Sequence, residues 1–176
     1  RPARRGRLVR IQDRRTLLRR SADDTDPVER AVVANADQLV IVVAAANPEP
    51  RTGFIDRALV AAYDAGISPL LCITKADIKD PADLLANYEH LDLDVIISRT
   101  ASDDASGIDA RSDDGLSARL QGSAVEQLHS HLEGKVSVLV GHSGVGKSTL
   151  VNALTGSARA TGGVNAVTGR GRHTSS

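Results

Sequence analysis

The stretch Val136-Ser137-Val138-Leu139-Val140, followed by Gly141-His142-Ser143-Gly144-Val145-Gly146-Lys147-Ser148-Thr149-Leu150, constrains this chain more than any other. An apolar run ends in a glycine-rich turn, and the start of a helix follows. The turn fits G-x-x-x-x-G-K-[ST], the P-loop pattern. Gly141, Gly144 and Gly146 let the backbone adopt conformations closed to larger residues, so successive N–H groups, those of His142, Ser143 and Val145 included, can converge on an anion. The helix beginning at Lys147-Ser148-Thr149 points its positive end at the same spot. Lys147 can reach β- and γ-phosphates, and the Ser148 hydroxyl can ligate Mg²⁺. Strand, loop and helix stand in the order the motif demands, so a nucleoside triphosphate site is expected over Gly141–Thr149.

The rest of the chain must supply a scaffold and a base pocket. With 176 residues, 41% of them hydrophobic but only 2% aromatic, the core has to be built from Val, Leu, Ile and Ala. That suits a parallel sheet whose strands are buried on both faces. The single cysteine, Cys72, excludes a disulfide within the chain and a cysteine-based zinc site, and its apolar surroundings make it a small core residue. With no signal-peptide pattern and no apolar run of membrane-spanning length, a cytoplasmic protein with no membrane partner is expected. The formal net charge of +0 conceals a basic beginning: residues 1–20 carry nine arginines against Asp13 alone. Such segregation suits a polyanion, with contacts made to RNA phosphates; it equally suits an edge strand kept solvated by its arginines.

Strand and helix signals alternate along the chain. Short extended pieces are expected at Leu8–Ile11 and Thr16–Leu18, then a polar linker over Ser21–Pro27 and apolar stretches at Val28–Val33 and Gln38–Ala46. The run Leu39-Val40-Ile41-Val42-Val43 reads as a central parallel strand. Arg51–Ala65 has a helical stripe of Phe54, Ile55, Ala58, Leu59 and Ala62, ended by Gly66. A buried strand over Pro69–Ile73, a helix from about Pro81 to His90 and a strand over Asp94–Ile97 follow. Ala101–Gly115 is Asp-, Ser- and Gly-rich and reads as a surface loop. Leu116–Leu132 reads as a helix with Leu120, Val125, Leu128 and Leu132 on its buried side. The P-loop helix should end near Thr155, leaving Gly156–Ser176 as a loop ordered by ligand. Right-handed crossovers put helices on both faces of one parallel sheet, and ligands then bind at the carboxyl ends of its strands.

Two further strand ends carry polar motifs. Thr74-Lys75-Ala76-Asp77 resembles the [NT]-K-x-D motif of GTP-binding proteins. Asp77 can accept from guanine N1–H and the exocyclic amine together, whereas adenine would leave the carboxylate unpaired. The Lys75 stem can lie along the base and stiffen the P-loop. Ser98-Arg99-Thr100 sits where such proteins have S-A-[KL], with Arg99 in place of Ala.

The base motif precedes the P-loop, the reverse of the ordinary GTPase order, so one sheet and one site are expected with the chain cut elsewhere. This resembles the circularly permuted GTPases of ribosome assembly. Within them, the P-loop together with Gly171-Arg172-His173-Thr174-Ser175 and Val33-Ala34-Asn35-Ala36-Asp37-Gln38 resembles the RsgA (YjeQ-type) family over about residues 14–176. The resemblance implies a circularly permuted P-loop GTPase domain at 21–176. Residues 1–20 would be the remnant of a preceding OB-fold. A zinc-binding domain would follow; neither it nor the D-x-x-G motif is in this sequence, which is therefore expected to be part of a longer one. It further implies GTP hydrolysis to GDP and phosphate, stimulated by the small ribosomal subunit and its rRNA. The expected catalytic set is Lys147, Thr174 and His173. Thr174 would join Ser148 on Mg²⁺, with Ser175 as its substitute, and His173 would position water. A monomer is expected. Open beside this reading are a nucleotide-gated RNA-binding module whose hydrolysis is incidental, and an ATP-using P-loop enzyme.

Overall fold

The computed structural model describes residues 10–20, 30–99 and 123–155. The order of elements is β1 (Leu17–Arg20), β2 (Arg30–Ala34), β3 (Gln38–Ala44), α1 (Thr52–Asp64), β4 (Ser68–Thr74), α2 (Ala82–Ala86), β5 (Asp94–Ile97), α3 (Ser123–Leu132), β6 (Ser137–Val140) and α4 (Lys147–Thr155). Four strands form one parallel sheet in the order β5-β4-β3-β6. β3 lies in the middle, and every residue of Gln38–Ala44 is buried. An apolar strand without polar alternation can satisfy itself only where both faces are covered.

Each face has its own cover. Leu39, Ile41 and Val43 of β3 and Leu71 and Ile73 of β4 pack with Ile55, Leu59 and Ala62 of α1. Their alternates Val40, Val42, Ala44, Leu70 and Cys72 pack with Leu128 of α3 and with Val145 and Leu150 at the P-loop helix. The period of two along the strands sorts consecutive residues to opposite sides, so helices are required on both. Cys72 is fully buried, and burial pushes its thiol up to about 12. Among the described residues no helix is long and apolar enough to cross a membrane.

β1 and β2 form a separate antiparallel pair, with an irregularity between Leu18 and Arg19. Leu18 is buried in the same apolar cluster as α1. The turn Asn35-Ala36-Asp37 joins this pair to the sheet. Asn35 takes a φ of +59° and is held by its side chain, which accepts from the Arg15 N–H at 2.7 Å and donates to the Asp13 carbonyl at 3.0 Å. The Asp37 carboxylate accepts from the Val136 N–H at 2.9 Å and from Arg15 at 3.3 Å. The first of these bonds, reinforced by the Arg15 charge, holds that carboxyl below its ordinary range. Asp37 thereby fixes the start of the P-loop strand beside the start of β3.

Some elements differ from expectation. Arg10 and Ile11 lie outside any strand, and Ile11 is exposed. The second helix stops at Ala86 rather than continuing to His90. There Asn87 turns its side-chain amide back onto the carbonyls of Asp83 and Leu84, and three-residue turns follow from the Tyr88 N–H to Leu85 and from the Leu91 N–H to Tyr88. A residue that bonds its own preceding carbonyls competes with helix continuation. On α3, Leu128 is buried, while Val125 and Leu132 are half-buried. The expected linker at 21–27, the loop at 101–115, the helix portion at 116–122, Thr100 and the segment 156–176 lie outside the described residues. So do His173, Thr174 and Ser175.

Candidate nucleotide-binding site

The carboxyl ends of β3, β4, β5 and β6 make one rim, because all four strands run in parallel. Asn47 follows β3, Thr74-Lys75 ends β4, Ser98 follows β5 and Gly141 follows β6. The P-loop hugs the sheet. A Cβ at Gly141 would lie 2.3 Å from the Val42 carbonyl oxygen, a distance no side chain can occupy, so this position has room only for glycine. Gly146, at φ +94°, turns the chain into α4 directly beside Thr74. Val145 between them is buried and anchors the loop in the apolar cluster below the sheet.

The two sequence motifs are bonded to each other. Thr74 Oγ1 lies 2.6 Å from the Val145 carbonyl and 3.2 Å from that of Val43, tying β4 to both neighbours at their ends. Lys75 takes a φ of +57°, which swings its side chain across the rim. Its Nζ donates to the Gly144 carbonyl at 2.9 Å and also to the Asn47 carbonyl. Its aliphatic stem therefore bridges from the base motif to the loop. Burial lowers the Lys75 pKa, and the Asp77 charge opposes that. Asp77 is exposed at the rim, two residues on.

Ser98 extends this rim at the end of β5. Its N–H donates to the Ile73 carbonyl at 2.7 Å, and its carbonyl accepts from the Ala76 N–H at 3.2 Å. The side chain is 1% exposed, and its hydroxyl meets no hydrogen-bond partner among the described residues. Arg99 lies exposed beyond it.

At the other end of the loop, Lys147 Nζ donates to the carbonyls of Gly141 at 2.7 Å and His142 at 2.6 Å. Partial burial lowers its pKa. Ser148 is exposed on the first turn of α4, so its hydroxyl offers a hard oxygen donor of the kind Mg²⁺ takes, while Thr149 is turned inward. Ser143 and Gly144 are half-buried along the mouth. The imidazole of His142 packs on the ring of Phe54 from α1, centroid to centroid 4.6 Å. Burial, and then the positive charges of Arg51, Lys147 and Arg57, lower the His142 pKa.

Sequence reasoning missed four neighbours of this site. Asn47 stood only as a strand terminator, yet its carbonyl holds Lys75. Phe54 counted only as part of a helical stripe. Arg51 and Arg57 were not singled out at all. Their signal was the break at Asn47-Pro48-Glu49-Pro50, which places a helix start next to the carboxyl end of the central strand.

The RsgA GTPase family model matches residues 11–176. The small ribosomal subunit biogenesis GTPase RsgA of Pseudomonas aeruginosa (strain LESB58) is 42% identical over 146 residues, covering 82% of this chain and 39% of that protein. The protein of the same name from Pseudomonas syringae pv. tomato is 39% identical over 170 residues, covering 96% of this chain and 45% of that one. Among solved structures, YjeQ from Thermotoga maritima superposes with a TM-score of 0.55 at 30% identity, covering 83% of this chain and 44% of the other. YloQ, a circularly permuted GTPase, gives 0.53 at 28% identity, covering 85% and 44%. The chain spans less than half the length of the relatives it matches. Base motif before P-loop within one parallel sheet is a permuted order, in keeping with the likeness to YloQ, a circularly permuted GTPase.

Proposed function

The chain belongs to the RsgA GTPase family, and from that premise we propose that it binds guanine nucleotide and hydrolyses GTP to GDP and phosphate as a switch in small ribosomal subunit maturation. The observation that carries this reading is the bonding of Thr74 and Lys75 to the P-loop carbonyls of Val145 and Gly144. It makes the base motif and the phosphate loop two ends of one site rather than two unrelated sequence matches. Asp77 then reads the guanine edge, Ser98 and Arg99 supply the backbone of the opposite wall, and Gly141–Thr149 wraps the phosphates.

Hydrolysis on this reading is phosphoryl transfer to water. Lys147 leaves the Gly141 and His142 carbonyls for the β- and γ-phosphates, and the loop amides of His142–Gly146 stabilise charge on the leaving group. Ser148, with Thr174 or Ser175, would hold Mg²⁺, which would supply positive charge to the phosphates. His173 orients the attacking water. The exposed arginines Arg10, Arg14, Arg15 and Arg19 suit contacts to rRNA phosphates. By the family resemblance, an OB-fold before this domain and a zinc-binding domain after it would complete a cytoplasmic monomer.

A titration of GTP, GDP and ATP, with and without small ribosomal subunits, tests the proposal. GTP and GDP should bind in preference to ATP, and subunits should accelerate phosphate release. ATP competing equally with GTP would remove the guanine pocket; nucleotide binding with no subunit effect on turnover would favour an RNA-binding module with incidental hydrolysis.

A further inference from the structure

The two ends of the P-loop face different neighbours. Its later half, Gly144–Gly146, meets the base motif through Lys75 and Thr74. Its leading half meets α1, through the packing of Phe54 on His142 at 4.6 Å. The tip of Lys147, which serves the β- and γ-phosphates in such loops, rests on this leading half, 2.6 Å from the His142 carbonyl. The side of the loop against α1 is therefore the end at which a triphosphate terminates.

Two further cations flank Phe54 in the chain. Arg51 immediately precedes α1, and its carbonyl accepts the Phe54 N–H at 3.0 Å. Arg57 lies one turn on from Phe54 and folds back toward the helix start, with Nη1 3.6 Å from where a Cβ on Gly53 would be. Both are exposed. The acidic side chains nearest them in sequence are engaged elsewhere: Glu49 pairs with Lys79 at 3.1 Å, and Asp56 accepts the Tyr88 hydroxyl at 2.9 Å. Among the described residues, neither guanidinium has a carboxylate within ion-pair distance. The charges of Arg51, Lys147 and Arg57 all bear on His142, whose pKa they help to lower, and among the described residues no carboxylate offsets them there.

We propose that Arg51 and Arg57, brought beside Lys147 by the packing of Phe54 on His142, receive the terminal phosphate of a bound GTP. The inference rests on the guanine-nucleotide reading above and adds to it a cis source of positive charge at the γ end. Guanidinium forks match phosphate oxygens and carry fixed charge at any working pH. In phosphoryl transfer, such a charge is worth most where the transferred group loosens from the leaving oxygen.

The test compares GTP, a non-hydrolysable GTP analogue and GDP on the unmodified protein and on Arg51→Ala, Arg57→Ala and the double variant. Loss of one charged hydrogen bond corresponds to about tenfold or more in affinity. The double variant should therefore bind GTP and its analogue at least about tenfold more weakly while keeping its GDP affinity, and its single-turnover hydrolysis should slow. Arg57→Lys should recover part of the discrimination. An unchanged ratio of GTP to GDP affinity, or an equal loss for both nucleotides, would overturn the inference; the second outcome would assign the pair to a protein segment or to the helix itself. If alanine variants melt early, Arg51→Gln and Arg57→Gln are read by the same ratio. Failure of the unmodified protein to bind either nucleotide would instead sink the guanine-nucleotide reading, and this inference with it.

Discussion

Lys75 donates to the Gly144 carbonyl at 2.9 Å across a sequence separation of 69 residues. One ammonium thus joins the end of β4 to the loop after β6, although β3 lies between those strands in the sheet. Its second acceptor, the Asn47 carbonyl, belongs to the turn after β3. The turn after β3, the end of β4 and the loop after β6 converge on one cation, so this rim is braced by the protein itself. Preorganisation of this kind reduces the ordering that binding would otherwise require.

The neighbouring hydroxyl should be measurable as stability. Thr74→Val keeps the volume but leaves the Val145 carbonyl without its donor, in a residue that is 3% exposed. An unpaired buried acceptor costs about 1–3 kcal/mol. Urea unfolding should show that loss for Thr74→Val and recovery for Thr74→Ser; unchanged midpoints in both would mean that the bond contributes nothing.

Lys147→Ala removes the ammonium from the leading half of the loop. Tight triphosphate binding should disappear, because the charged donor that the loop itself supplies to the β- and γ-phosphates is lost. Micromolar affinity surviving in that variant, measured by equilibrium titration, would argue that the loop does not hold the phosphates.

Asp77→Asn exchanges a double acceptor for a group that can also donate. Preference should shift from guanine toward xanthine, whose carbonyl accepts where guanine carries its amine. Competition of labelled GTP against XTP reads the change directly, and an unaltered preference for GTP would remove Asp77 from base recognition.

Asp37 predicts an acid-side dependence of folding. The Val136 N–H and Arg15 favour its charged form, so its folded pKa lies below the ordinary 3.8. A depressed carboxyl stabilises the fold above its unfolded pKa, and the contribution is lost as pH falls through the folded one. Stability should therefore drop more steeply below about pH 4 in the parent than in Asp37→Asn. Parallel curves of urea midpoint against pH in that range would exclude the linkage.

Much of the fold was legible because its signals are local. Leu39–Val43 has no polar alternation, so it had to be a doubly covered parallel strand, and Gln38–Ala44 is buried throughout. Gly141–Lys147 spells out the geometry of a phosphate loop in consecutive residues, and Ile55, Leu59 and Ala62 carry the buried stripe of α1 in their spacing. The α2 terminus was not legible, since it depends on whether Asn87 bonds its own preceding carbonyls or leaves them to the helix.

By itself, then, the sequence determined the alternation of elements, the permuted order of its motifs and the chemistry available at each strand end, because these follow from residue types at short separations. Only the tertiary structure decided that Phe54 packs on His142, that the Asn47 carbonyl holds Lys75, and that the start of α1, with Arg51 and Arg57, meets the leading half of the loop. Those contacts depend on how far each strand runs before its loop begins and on which helix face meets which loop. Such distances are set by packing across the whole sheet and leave no pattern in neighbouring residues.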